Sequence, residues 1–396
     1  MMRVLTQQID QVDVAAIASQ LVRIPSYSFQ QEQEKEVAVE VHRLLQDAGV
    51  DSQLVEVLPG RPNVVARIPG KGDGPSLLLT GHMDTVPAYE MKDPFSGEIR
   101  EGILYGRGAC DMKGPLAAMV SAMIGLAKSG ISLKGDVVFA ALIDEEEKGK
   151  GVEHLIHTGL RSHGVVNGEP TNLRLAIGHK GLEWMVVNIQ GKTVHGGRME
   201  EGVNAIMMAA RFLRLLEEKY IPLLQERRHP ILGVPTINVG KIQGGVQPST
   251  VPGSCRLEID RRWVPEESRA QIYGELEAIL TELEKEDSRF HGELAEMFAP
   301  RELLAHPPFY TEPEDSLVLA TQEALRQEEV AEELTVFPAW SDAGTMAAFT
   351  SMKCIILGPG DLALAHSEKE SIPVEDLRKA ARIYGRLAYL YCGVVE

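Results

Sequence analysis

The stretch that most constrains this chain is 136–143, DVVFAALI, in which every residue after the aspartate is apolar. A strand with one wet face alternates apolar and polar side chains. This one does not, so both of its faces must be covered, as they are in mainly parallel sheets. Parallel neighbours need crossover connections, usually helices, and those helices supply the cover. The surrounding sequence has the matching rhythm. Apolar positions at helical spacing over 32–49 stop at Gly49, and 63–68 and 76–80 are short β-rich runs. The segment 115–128 is a small-residue helix, entered just after Gly114 and left before Gly130, with Pro115 in its first turn. Gly164–Asn167 is a further short strand. The expected class is α/β, a mainly parallel sheet with helices on both sides.

From about residue 180 the texture changes. Strand patterns at 182–189, 236–242, 255–259 and 290–298, with helical patterns at 202–216 and 265–284, make a β-α-β-β-α-β unit. After Pro307 and Pro308 the α/β texture returns, with a helix at 315–327, a strand at 354–357 and a last helix at 374–391. The expectation is a larger domain of 1–179 and 300–396 with an α+β domain, 180–299, inserted into it. Length agrees, because 396 residues exceed what one core usually holds.

With 40 Lys and Arg against 57 Asp and Glu, the formal charge is −17. The excess is spread along the sequence, which disfavours nucleic acid as a partner, since phosphate binding needs a basic face. A local cationic pocket is still allowed. Cys110, Cys255, Cys354 and Cys392 lie far apart with no C-x-x-C, the pattern of reduced thiols in a cytosolic protein. The N-terminus is polar and helix-like, without the apolar centre of a signal peptide, and the run 137–143 is too short to span a bilayer. The expected location is the cytoplasm, with no membrane partner.

Four strands of the larger domain end in acids or histidines: SLLLTGHMD, VVFAALIDEEE, VVNGEP, and CIILGPG followed by DLALAH. One such end is ordinary loop polarity. Open α/β sheets, however, bind ligands at the carboxyl ends of their strands. Four such ends, with Asp111 in GRGACDMKG, would gather carboxylates that raise one another's pKa and resist burial. A pair of divalent cations relieves that crowding. Oxygen and imidazole donors without thiolate suit zinc, cobalt or manganese, and such a pair would acidify a shared water. His82 and Asp84, two apart at a strand end, would project the same way. They are either a metal ligand and the carboxylate that orients it, or a polar turn.

In order and spacing, GHMDTVP, GRGACDMKG, DEEEKGKGV, NGEPT, VHGGRMEEGVNAI and GPGDLALAH resemble a known family. It is the di-zinc amidohydrolase and metallopeptidase family of aminoacylase, acetylornithine deacetylase, succinyl-diaminopimelate desuccinylase and glutamate carboxypeptidase. The resemblance runs from about residue 15 to the C-terminus. It implies a di-metal catalytic domain and makes the inserted domain a lid and dimerisation module. It implies two divalent metal ions, Zn2+ first and Co2+ or Mn2+ as substitutes, held by His82, Asp111 and Glu169 on one side and Asp111, Glu146 and His366 on the other. Asp84 would orient His82. Glu145 would be the general base, taking a proton from the metal-bridging water and passing it to the leaving amine. In a homodimer, His195 would support the oxyanion in the partner's site. Arg262, in Asp260-Arg261-Arg262, would clamp the substrate carboxylate, and Gly358 and Gly360 would let backbone approach the substrate. Movement of the lid would exclude water.

The implied reaction is hydrolysis of an amide next to a free carboxylate, through a metal-bridging hydroxide. The substrate is an N-acyl amino acid or, alternatively, a dipeptide or other small peptide cut by a dipeptidase or carboxypeptidase. The run 144–147 leaves the register open by one residue. Gly151, seven after Asp144, favours Glu145 as base and Glu146 as ligand, whereas Gly149 at five departs from the family's spacing of four. The shifted pair is Glu146 and Glu147. If the strand continued to 146, Glu145 and Glu146 would point to opposite faces, so serving one metal pair requires a bend.

Met199 stands where the family usually has proline, and Ser249 where it commonly has asparagine, which touches substrate contacts rather than metal chemistry. Two other classes compete. A metal-binding protein without catalysis is disfavoured by Glu145 and the full ligand set, and an aminopeptidase would want an acidic clamp for a free amine rather than Arg262. His154 and His157 read as a solvated helix face, His179 as a core or hinge histidine, and 266–286 as an exposed amphipathic helix. GRGACD is not a dinucleotide fingerprint, because Asp111 holds the place of the third glycine.

Overall fold

The computed structural model describes residues 1–30, 32–297 and 306–395. The chain forms two compact units, Met1–Gly178 with Tyr310–Glu396, and His179–Phe309. The boundary expected at 299/300 and Phe298, the expected end of the last inserted strand, lie outside the described residues.

The first unit is built on an eight-stranded sheet. Its strands run in the order Asp51–Leu58, Arg61–Ile68, Val137–Leu142, Leu77–His82, Gly164–Asn167, Lys353–Ile356, Leu175–Ala176 and Leu334–Thr335. The four at its centre, from Val137–Leu142 to Lys353–Ile356, are mutually parallel, and antiparallel pairs flank them. Val137–Leu142 and Leu77–His82 are buried at every residue, as the unbroken apolar run requires. Leu77, Leu79, Phe139, Val166 and Ile355 meet Leu116, Met119 and Met123 of the helix Lys113–Ser129 and Tyr384 and Leu387 of Val374–Cys392 in one core. Lys113–Ser129 stops at Gly130, whose φ of +67° is the left-handed conformation that ends helices. Phe139 is fully buried in this core. Phe139→Ala is expected to cost about 3–5 kcal/mol, read as a melting temperature lowered by several degrees with metal content unchanged.

The second unit is a four-stranded antiparallel sheet in the order Thr236–Gly244, Ser254–Trp263, Gly181–Gln190 and His291–Glu296. Ser254–Trp263 alternates buried and more exposed residues along its length, the mark of a sheet with one covered face. That face carries Met185, Val187, Leu257 and Ile259, packed with Phe212 and with Leu276 and Leu280 of the helix Arg269–Glu286. His179 is buried with its ring edge-on to Phe309, centroids 4.8 Å apart. All four cysteines are buried free thiols. No helix among the described residues is long and apolar enough to cross a membrane.

Candidate functional site

Parallel strands deliver their carboxyl ends to one edge of the sheet, and the acids and histidines of the first unit gather there. His82 is the last residue of its strand. Its Nε2 lies 3.0 Å from Asp111 Oδ1 and 4.0 Å from Glu169 Oε1. His366 Nε2 lies 3.2 Å from Asp111 Oδ2 and 3.0 Å from Glu146 Oε1. Asp111 therefore shows one carboxylate oxygen to each of two imidazoles, with Glu169 beside the first and Glu146 beside the second. Ligand atoms of His82, Asp111 and Glu146 all lie within 4.8 Å of one another. Donors around an ion with bonds of about 2.1 Å stand roughly 3.4 Å apart, so these spacings fit a cation.

The electrostatics fit one too. Burial would lower the His82 pKa, but the hydrogen bond to Asp111 and the charges of Glu169 and Asp111 override it and raise it. Hydrogen bonds to Asp111 and Glu146 push His366 up to about 10. Burial pushes the Glu169 carboxyl up to about 8, with the Asp111 and Glu146 charges adding to it and His82 opposing. Glu169 Oε1 is buried without a hydrogen-bond partner among the described residues. Crowded, buried carboxylates and imidazoles of this kind are what a divalent metal pair would relieve, and their oxygen and nitrogen donors suit one.

Glu145 and Glu146 follow the strand Val137–Leu142, but the strand stops at Leu142 and the chain turns at Asp144, whose φ is +69°. That is the bend the two neighbouring glutamates need. Burial raises the Glu145 carboxyl well above its ordinary range, with Glu169, Asp342 and Glu146 adding and His82 opposing.

Asp84 meets His82 through its backbone as well as its side chain. His82 Nδ1 is 2.9 Å from the backbone carbonyl of Asp84, while the nearer carboxylate oxygen stands 3.7 Å away. The strand ends at His82, so the alternation that would align the two side chains does not continue. The carboxylate also accepts the backbone N–H groups of Glu145 and Glu146, at 3.2 and 2.9 Å.

Gly358 packs against the backbone that carries Glu169. A Cβ there would lie 2.1 Å from the Gly168 carbonyl oxygen and 2.4 Å from that of Glu169. The contact its glycine is shaped for is the strand end that carries Glu169. Gly360, with φ +93°, turns the chain beside Cys110. Gly358→Ala is expected to displace Glu169 and weaken metal retention by about tenfold or more, measured by metal analysis after dialysis against a competing chelator.

Sequence reasoning missed several supports. Buried Glu370 accepts the backbone N–H groups of Cys110 and Asp111, both at 3.0 Å, and pairs with buried Arg107. Nothing in the spacing of SEKES pointed there, because the partners are more than 250 residues apart. Asp342, at the start of the helix Asp342–Phe349, is also buried, and burial pushes its carboxyl up to about 7.

Two predicted residues, His195 and Arg262, belong to the second unit. His195 is exposed, and its Nδ1 accepts the N–H of Gly197 at 3.1 Å, which leaves the ring proton on Nε2. Gly196 donates its N–H to the carbonyl of Ser249 at 2.7 Å, so Ser249 supports this turn through its backbone. Strand alternation turns Arg261 inward, where it is fully buried and pairs with Glu267, and leaves Arg262 half-buried. Arg262 makes a two-point contact with Asp260, at 2.8 and 3.0 Å.

Residues 78–390 match the model of peptidase family M20/M25/M40. The chain is 31% identical to acetylornithine deacetylase of Myxococcus xanthus over 363 residues, covering 90% of this chain and 88% of that one. It is 30% identical to a probable succinyl-diaminopimelate desuccinylase of Staphylococcus epidermidis over 293 residues, covering 67% and 70%. In fold it is similar to the M20 family metallo-carboxypeptidase Sso-CP2 from Sulfolobus solfataricus, with a TM-score of 0.76 at 20% identity, covering 96% and 99%. With its mainly parallel sheet and a donor set fitted to divalent metal, the chain belongs to peptidase family M20/M25/M40 and is a metal-dependent hydrolase acting on amide bonds.

Proposed function

We propose that the chain is an N-acyl amino acid deacylase working with two divalent metals, zinc being the expected ion, as a cytoplasmic homodimer. The observation that carries the metal pair is Asp111, with one carboxylate oxygen 3.0 Å from His82 and the other 3.2 Å from His366. The deacylase reading is supported by the names of the two curated relatives, both amide-cleaving enzymes that remove an acyl group from an amino acid.

His82, Asp111 and Glu169 would hold one ion and Asp111, Glu146 and His366 the other. Such ions supply Lewis acidity, polarising the amide carbonyl and lowering the pKa of the attacking water. Glu145, its carboxyl pushed upward by burial, takes the proton of that water and returns it to the leaving amine. Asp84 fixes the backbone of Glu145 and Glu146 so that base and ligand keep their separation. Arg262 binds the substrate carboxylate in place of Asp260. The His195 ring offers its Nε2 proton to the oxyanion of the other subunit.

The deciding experiment is hydrolysis by metal-reconstituted protein of N-acetyl, N-succinyl and N-formyl amino acids beside dipeptides with free or blocked α-amines. Turnover confined to acyl amino acids with a free carboxylate is the expected result. A requirement for a free α-amine would replace the reading by an aminopeptidase. The dimer has its own test. Mixing inactive His195→Ala and Glu145→Ala chains is expected to restore about a quarter of wild-type activity through mixed dimers, each with one intact composite site. No recovery in verified mixed dimers would rule out sharing of His195 between subunits.

A further inference from the structure

We infer that Glu34 and Arg61, neither of which touches the metal cluster, are positioning residues for the general base Glu145. The inference rests on the function proposed above and extends it to the device that fixes the base.

The segment from Ile143 to Gly151 leaves the sheet, turns through the left-handed Asp144 and enters the helix Lys150–His157. An excursion of this kind is usually mobile, because it has no ladder to satisfy its backbone. Here every backbone N–H of the nine has an acceptor. Ile143 donates to Asn63 Oδ1 at 3.1 Å and Asp144 to Glu34 Oε1 at 3.1 Å. Glu145 and Glu146 donate to the Asp84 carboxylate. Glu147, Lys148 and Gly149 all converge on the Asp144 carbonyl, Lys150 on the Asp144 carboxylate at 3.3 Å, and Gly151 on the Ile143 carbonyl.

Asp144 is thus the hub of the turn, and it is the residue in a conformation that L side chains avoid. Aspartate enters this conformation more readily than most residues, so what singles out this turn is how far its surroundings determine it. Glu34 and Arg61 provide that determination. Arg61 grips Glu34 through two parallel bonds, Nε to Oε2 and Nη2 to Oε1, both 2.6 Å, and the same Nη2 reaches Asp144 Oδ1 at 3.0 Å. The Glu34 side chain is fully buried and Arg61 is only 16% exposed. Asp144 is held at its N–H by Glu34 and at its carboxylate by Arg61. Glu34 precedes the helix Lys35–Asp47 and Arg61 opens the strand Arg61–Ile68. Two elements formed early in the chain therefore set where Glu145 starts. A guanidinium fork is suited to this, because its planar geometry fixes direction as well as charge.

The test uses full-length, metal-reconstituted Arg61→Met and the double variant Glu34→Gln/Arg61→Met. The double variant avoids leaving the buried Glu34 charge unpaired, and Arg61→Lys keeps the charge while losing the fork. On an acyl amino acid substrate, kcat is expected to fall about 10- to 100-fold, because a base displaced by about 1 Å loses its alignment, with KM changed less than about twofold and metal content unchanged. Amide hydrogen exchange should accelerate at 144–151 and stay unchanged in Val137–Leu142, with Arg61→Lys falling between. A merely structural pair would lower the melting temperature without moving kcat per folded, metal-loaded chain. That result, with unchanged exchange at 144–151, overturns the inference. If the wild-type protein hydrolyses no amide, the deacylase reading fails by itself and the exchange pattern alone decides: localised acceleration supports the clamp and its absence overturns it.

Discussion

Replacing Glu145 by alanine is expected to lower kcat by about 10²–10⁴-fold, the range that a positioned acid–base group contributes. Metal content should be unchanged. The separation of the two effects follows from how the residue is held. Its backbone N–H is fixed by Asp84, not by its own side chain, so truncation leaves the turn and the neighbouring Glu146 in place. Glu146→Ala should do the reverse, since its carboxylate is the one 3.0 Å from His366, and lose metal first. Turnover and metal analysis of these two variants together with Glu147→Ala also settles the register of the acidic run. Metal loss from Glu147→Ala, with metal kept and turnover lost in Glu146→Ala, would transfer both roles one residue along.

Asp111→Ala should cost the protein metal at both positions. Removal of one terminal ligand leaves the second ion with its own donors. Removal of Asp111 takes a donor from both groups at once, because its two oxygens face His82 and His366 separately. Metal analysis should find less than one equivalent bound, and turnover should fall by more than about 10²-fold, beyond what loss of a supporting partner costs. Asp111→Asn, which keeps the shape and one acceptor oxygen, should recover part of the metal and little of the activity. Full metal occupancy in Asp111→Ala would contradict the shared role of this carboxylate.

Much of the fold could be read from the order of residues. The run DVVFAALI demanded burial on both faces, and Val137–Leu142 lies between parallel and antiparallel neighbours with no exposed residue. The β-α-β-β-α-β texture around 181–296 likewise appears as a four-stranded sheet with two packed helices. Among the side chains of the candidate metal cluster, His82, Glu146 and Glu169 were legible because they stand at or just after strand ends, where a local motif and a global position coincide, whereas Asp111 and His366 come from longer loops. What the sequence did not disclose is who supports them. Glu370 and Arg107, or Glu34, Arg61 and Asp144, meet only through tertiary contacts across dozens to hundreds of residues. Short-range spacing carries no record of such partners. Asp84 had a second use that spacing could not show: its carboxylate, 3.7 Å from the His82 ring, also accepts the N–H groups of Glu145 and Glu146.

The buried thiols have a practical meaning. Cys110, Cys354 and Cys392 sit in the first unit and Cys255 in the second, each shielded from solvent. An alkylating reagent can reach them only when the surrounding structure opens. The chain therefore carries natural clocks, and the rate at which each thiol is modified, resolved by mass spectrometry, would time the breathing of each unit without adding a probe.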